Sequence, residues 1–186
     1  IGNVKSAGTK LVCLDSLFKN PGVYEIDMGT PMKKIIYDIG GGFIKPVKAL
    51  QVGGPLGGVI PIKEVEKLNL DFQEFMKAGF MLGHGGIVSI PEDFNMIKYI
   101  HHLFKFSAEE SCGKCFPGRL GSYRGKEMFD QAVSKTNKIP IKLLNELLIT
   151  MQKGSLCALC GAIPLPIQNI LKYFTEEFKT DINQEA

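Results

Sequence analysis

Glu110-Ser111-Cys112-Gly113-Lys114-Cys115-Phe116-Pro117-Gly118-Arg119 is the stretch on which the reading of this chain turns, and Gly154-Ser155-Leu156-Cys157-Ala158-Leu159-Cys160-Gly161 answers it further along. Four of the five cysteines fall in these two C-x-x-C pairs. Two thiolates three residues apart can grip one metal ion or one face of an iron–sulfur cluster, and a second such pair closes a four-sulfur site. Spacing alone leaves three chemistries open: an iron–sulfur cluster, a structural zinc ion, or buried or redox-paired thiols without metal. Zinc usually stabilises domains too small to hold a core, which this chain is not. Metal-free thiols are common singly, but two such pairs seldom coincide.

The wording around the cysteines narrows the choice. Glu-Ser-Cys-Gly-Lys-Cys-x-Pro followed by Arg119, a helical stretch and then Ser155-Leu156-Cys157-Ala158-Leu159 resembles the C-terminal iron–sulfur region of the NADH-binding, flavin-carrying subunit of respiratory complex I. Related subunits of NAD-dependent hydrogenases and formate dehydrogenases carry the same module. Upstream, Gly8 to Cys13, Pro21 to Glu25 and Gly53-Gly54-Pro55-Leu56-Gly57-Gly58 are also similar to that subunit, so the resemblance covers nearly the whole chain. It implies a 4Fe-4S cluster held by C-x-x-C-x-x-C and a fourth cysteine in Ser-Leu-Cys. Cys112, Cys115 and Cys157 match the first, second and fourth of these places, but the third is Gly118. Where the pattern has glycine after Ala-Leu, this chain has Cys160. The expected ligand set is therefore Cys112, Cys115, Cys157 and Cys160, with Cys160 taking the vacated corner.

At 186 residues the chain can bury a real core as one or two domains. Hydrophobic residues make up 45% and charged residues 22%, as in ordinary globular proteins, and the net charge of +3 is dispersed among acidic residues. Without a concentrated basic stripe, no nucleic-acid partner is expected. No apolar run approaches the roughly 18–20 residues that span a bilayer, so no direct membrane insertion is expected. The N-terminus lacks a charged-then-apolar signal pattern. Five cysteines, an odd number, suit a reducing interior better than a secreted disulfide framework. The expected location is cytoplasmic, at the inner face of the membrane through a complex. The chain opens at Ile1 rather than Met, which reads as a piece of a longer protein.

Taken in order, residues 10–14 and 22–26 read as a hairpin turned by Lys19-Asn20-Pro21-Gly22. Met32, Ile35, Ile36 and Ile39 recur at helical spacing behind Thr30 as N-cap and Pro31 as first helical residue. Val47–Val52 reads as a returning strand. Gly53 to Gly58 lacks the Gly-Lys-Ser/Thr ending of a phosphate loop and reads as a turn of closely packed backbone. Cys13, mid-strand, is expected in the core.

Residues 63–91 are expected to form a linker with a short helix and a strand, Ile87–Ile90. From residue 92 the period becomes helical. Helices are expected over 93–108, from Pro117 to Val133, over Leu143–Met151 with Leu143, Leu144, Leu147 and Leu148 inward, and after Pro164 or Pro166. His84, His101 and His102 are read as hydrogen-bonding or surface residues rather than ligands. The tail from Thr180 is expected to fray.

The expected fold is α+β: over residues 1–62 a small domain that the resemblance implies to be a β-grasp of the soluble-ligand-binding kind, the linker 63–91, then a four-helix iron–sulfur bundle over 92–179. The cysteine pairs would lie at helix ends, with Lys114 and Arg119 nearby as tuning, docking or simply solvated charges. No glycine-rich fingerprint follows a strand and opens a helix, and no catalytic triad or paired-carboxylate set is visible. By resemblance, FMN and NAD belong to an N-terminal flavin domain outside this sequence. The chain is then an electron relay, not catalytic alone, whose partners are the flavin/NADH-binding domain and other iron–sulfur subunits. Two alternatives differ in kind: a docking or assembly module that has lost the cluster, and a zinc-stabilised structural domain.

Overall fold

Alternation decides the first strand: Thr9–Leu14 (β1) buries Val12 and Leu14 and turns Leu11 and Cys13 outward. Cys13 is therefore exposed, not a core residue, because its two neighbours already claim the inner face. Gly22–Asp27 (β2) runs antiparallel to β1, with Leu14 opposite Gly22. The computed structural model describes residues 1, 2, 4 and 6–183, in two units, Ile1–Asp93 and Phe94–Ala186.

In the first unit, Met32–Lys34 (α1) continues as a π-helical turn over Ile35–Ile39, with Met32, Ile35 and Ile36 fully buried. Pro31, not Thr30, is its N-cap, and no side chain caps it. Val47–Val52 (β3) pairs antiparallel with Gly58–Pro61 (β4). The glycines between them permit a close crossing: a Cβ on Gly53 would lie 2.6 Å from Leu82 O, and one on Gly83 2.5 Å from Gly53 O. Both have positive φ, so the run is a turn where two backbones touch.

Residues 63–91, expected as a linker with a short helix and a strand, lie inside the first compact unit. Ile62–Val65 (α2) and Phe72–Lys77 (α3) bury Val65, Leu70 and Phe75 completely, and Asp71 caps α3 by accepting from Gln73 and Glu74 N–H. Gly86–Pro91 (β5) is the middle strand of a mixed sheet in the order β2-β1-β5-β3-β4, parallel to β1 and antiparallel to β3. Its place is secured by Asp15, whose carboxylate accepts from Ser89 N–H at 2.7 Å, Ser89 Oγ at 2.9 Å and Leu17 N–H at 3.1 Å. The strand expected at Ile87–Ile90 is present within β5, but its pairing with β1 and β3 joins segments distant in sequence, which no local pattern shows.

In the second unit, Met96–Glu110 (α4) is capped by Asn95, whose Oδ1 accepts from Lys98 N–H at 3.0 Å. Its inner face carries Ile97, Ile100, Leu103, Phe104 and Ser107. A π-helical turn, Pro117–Gly121, leads into Ser122–Val133 (α5). Ile139–Pro140 (β6) precedes Ile141–Gly154 (α6), which buries Leu144, Leu148 and Met151 while Leu143 stays 39% exposed. Ala158–Ala162 (α7) and Pro164–Tyr173 (α8) follow, then a 3-10 turn over Thr175–Phe178 that buries Phe178. The start of the tail does not fray: Ile182–Asn183 (β7) pairs in parallel with β6. Gln184 to Ala186, also expected to fray, lie outside the described residues. The architecture is mixed α/β, and among the described residues no helix is long and apolar enough to cross a membrane.

Candidate metal centre

The two cysteine segments meet across the second unit. Cys112 and Cys115 lie between α4 and the π turn, and Cys157 N-caps α7 while Cys160 lies inside it. Cys112 and Cys157 are exposed, Cys115 is half-buried and Cys160 is buried. The contact between the segments is tight at two glycines. A Cβ on Gly154 would come 3.0 Å from Pro117 Cγ, and one on Gly121 2.9 Å from Met151 Cγ, so the π turn rests directly on the end of α6.

Gly118 is the informative position. A Cβ there would lie 3.0 Å from Cys115 Sγ and 3.2 Å from Cys160 Sγ. The sulfurs of Cys115 and Cys160 therefore flank one spot, and they are separated by no more than those two distances end to end. Cys160 Sγ thus lies beside the space into which a side chain at position 118 would project. Its thiol contacts Gly118 O at 3.8 Å and Ser107 Oγ at 3.6 Å.

Electrostatics favour negative charge at Cys115. The Leu156 backbone N–H holds its thiol below the ordinary range, helped by the Gly118 N–H, with burial opposing and the Ser155 hydroxyl contributing least. Ser155 Oγ is itself buried without a well-formed hydrogen bond, so its effect at Cys115 is that of a nearby dipole. A backbone donor from each of the two segments and a buried hydroxyl near Cys115 suit an anionic, sulfur-ligated group. The donor set fits an iron–sulfur cluster on these observations. Among the described residues no three His, Cys, Asp or Glu side chains gather closely enough to hold a single metal ion.

The other candidates are engaged elsewhere. His84 Nδ1 accepts from Gly86 N–H at 3.1 Å, and His101 Nε2 lies 2.6 Å from Asp130 Oδ1. Arg119 lies over the Phe116 ring at 5.3 Å. Sequence reasoning missed Ser107 and Ser155, because a lone serine in a helix or beside a glycine carries no motif. The Ser in Ser-Leu-Cys was the one available signal.

Residues 98–181 match the family model described as the NADH-ubiquinone oxidoreductase-F iron–sulfur binding region. The NADP-reducing hydrogenase subunit HndC of Solidesulfovibrio fructosivorans is 32% identical over 100% of this chain and 38% of its own length. The F subunit of the Escherichia coli NADH-quinone oxidoreductase is 32% identical over 99% of the chain and 42% of its own length, and that of Rickettsia bellii 32% over 98% and 45%. The chain thus spans less than half the length of these curated relatives. A crystal structure of an NAD+-reducing [NiFe]-hydrogenase shares the fold, with TM-score 0.86 at 22% identity, covering 99% of this chain and 31% of that one. Residues 98–181 are therefore similar to the iron–sulfur binding region of NADH-ubiquinone oxidoreductase-F, and the chain as a whole is similar to part of the length of these relatives.

Proposed function

We propose that this chain is the electron-transfer module of an NADH dehydrogenase-type oxidoreductase subunit, with Cys112, Cys115, Cys157 and Cys160 holding one 4Fe-4S cluster. The observation that carries the ligand assignment is the meeting of Cys115 and Cys160 around Gly118. The third cysteine of the related pattern is replaced by Gly118, and the sulfur of Cys160 reaches the space beside it. When bound, the cluster would accept and release one electron at a time.

The protein's own residues would set the conditions for that exchange. Leu156 and Gly118 N–H groups stabilise negative charge at Cys115. Exposed Phe116 and Leu156 leave an apolar surface beside the cysteines against which a redox partner can approach. The first unit is read as a β-grasp docking and scaffolding element, and the helices of the second as a bundle around the centre. Electrons would arrive from FMN reduced by NADH in a flavin domain outside this sequence and leave to other iron–sulfur subunits. The relatives named for NADH-quinone oxidoreductase and for a NADP-reducing hydrogenase support this class of reaction.

Anaerobic purification with iron, acid-labile sulfide and zinc counted per chain tests the proposal. About four iron and four sulfide, with absorbance that bleaches on dithionite, is the expected result. The Cys160→Ser variant should lose iron. Undiminished iron in that variant would overturn the assignment of Cys160, and zinc without iron would overturn the relay.

A further inference from the structure

Ser107 is an odd residue for its place. It sits inside α4, completely buried, on the same face as Leu103 and Phe104. A serine within a helix ordinarily returns its hydroxyl to a carbonyl one turn back. Here the hydroxyl is directed to Cys160 Sγ at 3.6 Å, and among the described residues that is its one hydrogen-bond partner. A fully buried hydroxyl is costly unless bonded, so this contact constrains both side chains.

The surroundings assign the direction of the bond once the sulfur has lost its proton. A metal-bound thiolate cannot donate, so the serine O–H must. The Gly118 carbonyl, 3.8 Å from the same sulfur, does not need the thiol proton, since Ser122 Oγ donates to it at 2.5 Å. Cys160 is 2% exposed, so water cannot replace a missing donor there.

We propose that Ser107 is a positioning residue for the candidate centre: its hydroxyl donates an O–H···S hydrogen bond to Cys160, holds that sulfur toward Gly118, and raises the reduction potential of the sulfur-ligated group. This deepens the ligand assignment above and rests on it. A donor to a ligating sulfur draws off negative charge and stabilises the reduced, more negative state.

The test compares wild type, Ser107→Ala, Ser107→Thr and Cys160→Ser, prepared and reconstituted identically. Iron and sulfide are counted per chain, and the midpoint potential is read by EPR-monitored redox titration. Alanine removes one oxygen and is the best helix former, so S107A is chosen to preserve α4, with far-ultraviolet circular dichroism as the check. The expected result is full iron in S107A and a lowered potential, about tenfold in the one-electron equilibrium or ~59 mV. S107T, which keeps the hydroxyl, should return toward wild type.

Loss of iron in S107A but not in S107T supports the same role through positioning. An S107A potential equal to wild type at full iron, or equal iron loss in both variants, overturns the inference while leaving the ligand assignment intact. Full iron in C160S overturns the ligand assignment instead, and this inference with it.

Discussion

Gly125→Ala should destabilise the helical unit, and the structure sets the size of the effect. Gly125 lies on the inner face of α5, where a Cβ would stand 2.1, 2.3 and 2.5 Å from three ring atoms of Phe104. Carbon atoms rest at about 3.5–4.0 Å, so the ring must retreat by more than ~1 Å. It has no room to do so: Phe104 is completely buried, with the Phe129 ring 5.7 Å away between centroids. Overpacking of this kind costs about 1–3 kcal/mol, and three deep clashes against a confined ring place the cost near the upper end.

Replacing a helix-interior glycine by alanine returns about 1 kcal/mol, leaving a net loss of about 2 kcal/mol. For a unit of this size that lowers Tm by roughly 8–16 °C, read by circular dichroism at the helix band during heating. Phe104→Leu should relieve the clash, so the double variant should be more stable than the two single effects predict by addition. A Tm at or above wild type for G125A alone would refute the reasoning, since it would mean that the ring yields freely and helix propensity wins.

In apo protein, Cys115 should be alkylated with a pH midpoint below that of an ordinary thiol, because the Leu156 N–H stabilises its thiolate; peptide-mapped iodoacetamide labelling against pH checks this, and an ordinary midpoint would contradict the donor arrangement. Tyr37 has its phenol pushed up to about 12, first by burial and then by its hydrogen bond to Glu66. Its folded pKa exceeds the unfolded one, so its contribution to stability is complete below about pH 10 and lost as pH rises through about 12; spectrophotometric titration of wild type against Tyr37→Phe should locate the step. Asp71→Ala should cost about 1 kcal/mol through loss of the α3 cap, measured by denaturant midpoint. Asp15→Ala, which leaves the N–H and Oγ of Ser89 without their acceptor, should cost about 2 kcal/mol in the same assay; an unchanged midpoint would mean that strand pairing alone secures β5.

The four expected helices of the second unit were legible because each has a complete local signal, whereas the short helix Ala158–Ala162 was not expected. Ile97, Ile100, Leu103 and Phe104 recur at helical spacing in α4, and Leu144, Leu148 and Met151 do so in α6. The hairpin of β1 and β2 was legible for the same reason, from alternation and a turn sequence. Leu143 was misplaced inward because four leucines over six positions cover more of a helix than one neighbour can bury. The first unit was harder to read. β5 was legible as the strand Ile87–Ile90, but its pairing with β1 and β3, strands distant from it in sequence, was not. Cys13 shows the cost of a one-residue error in phase, since alternate positions on a strand face opposite sides.

Two C-x-x-C pairs are matters of composition and spacing, so the sequence by itself determined that four thiols come in two pairs, while the resemblance marked Gly118 as a departure and Cys160 as an addition. Covalent spacing limits where the members of a pair can go. It says nothing of how one pair meets the other, which depends on packing between segments far apart in the chain. Only the tertiary structure decided that Cys115 and Cys160 flank the empty side of Gly118, that Leu156 N–H faces Cys115, and that a buried serine on α4 reaches Cys160. Those relations exist because the buried glycines of the π turn let α4, the turn and α7 approach closely, and packing brings together residues that no local pattern connects.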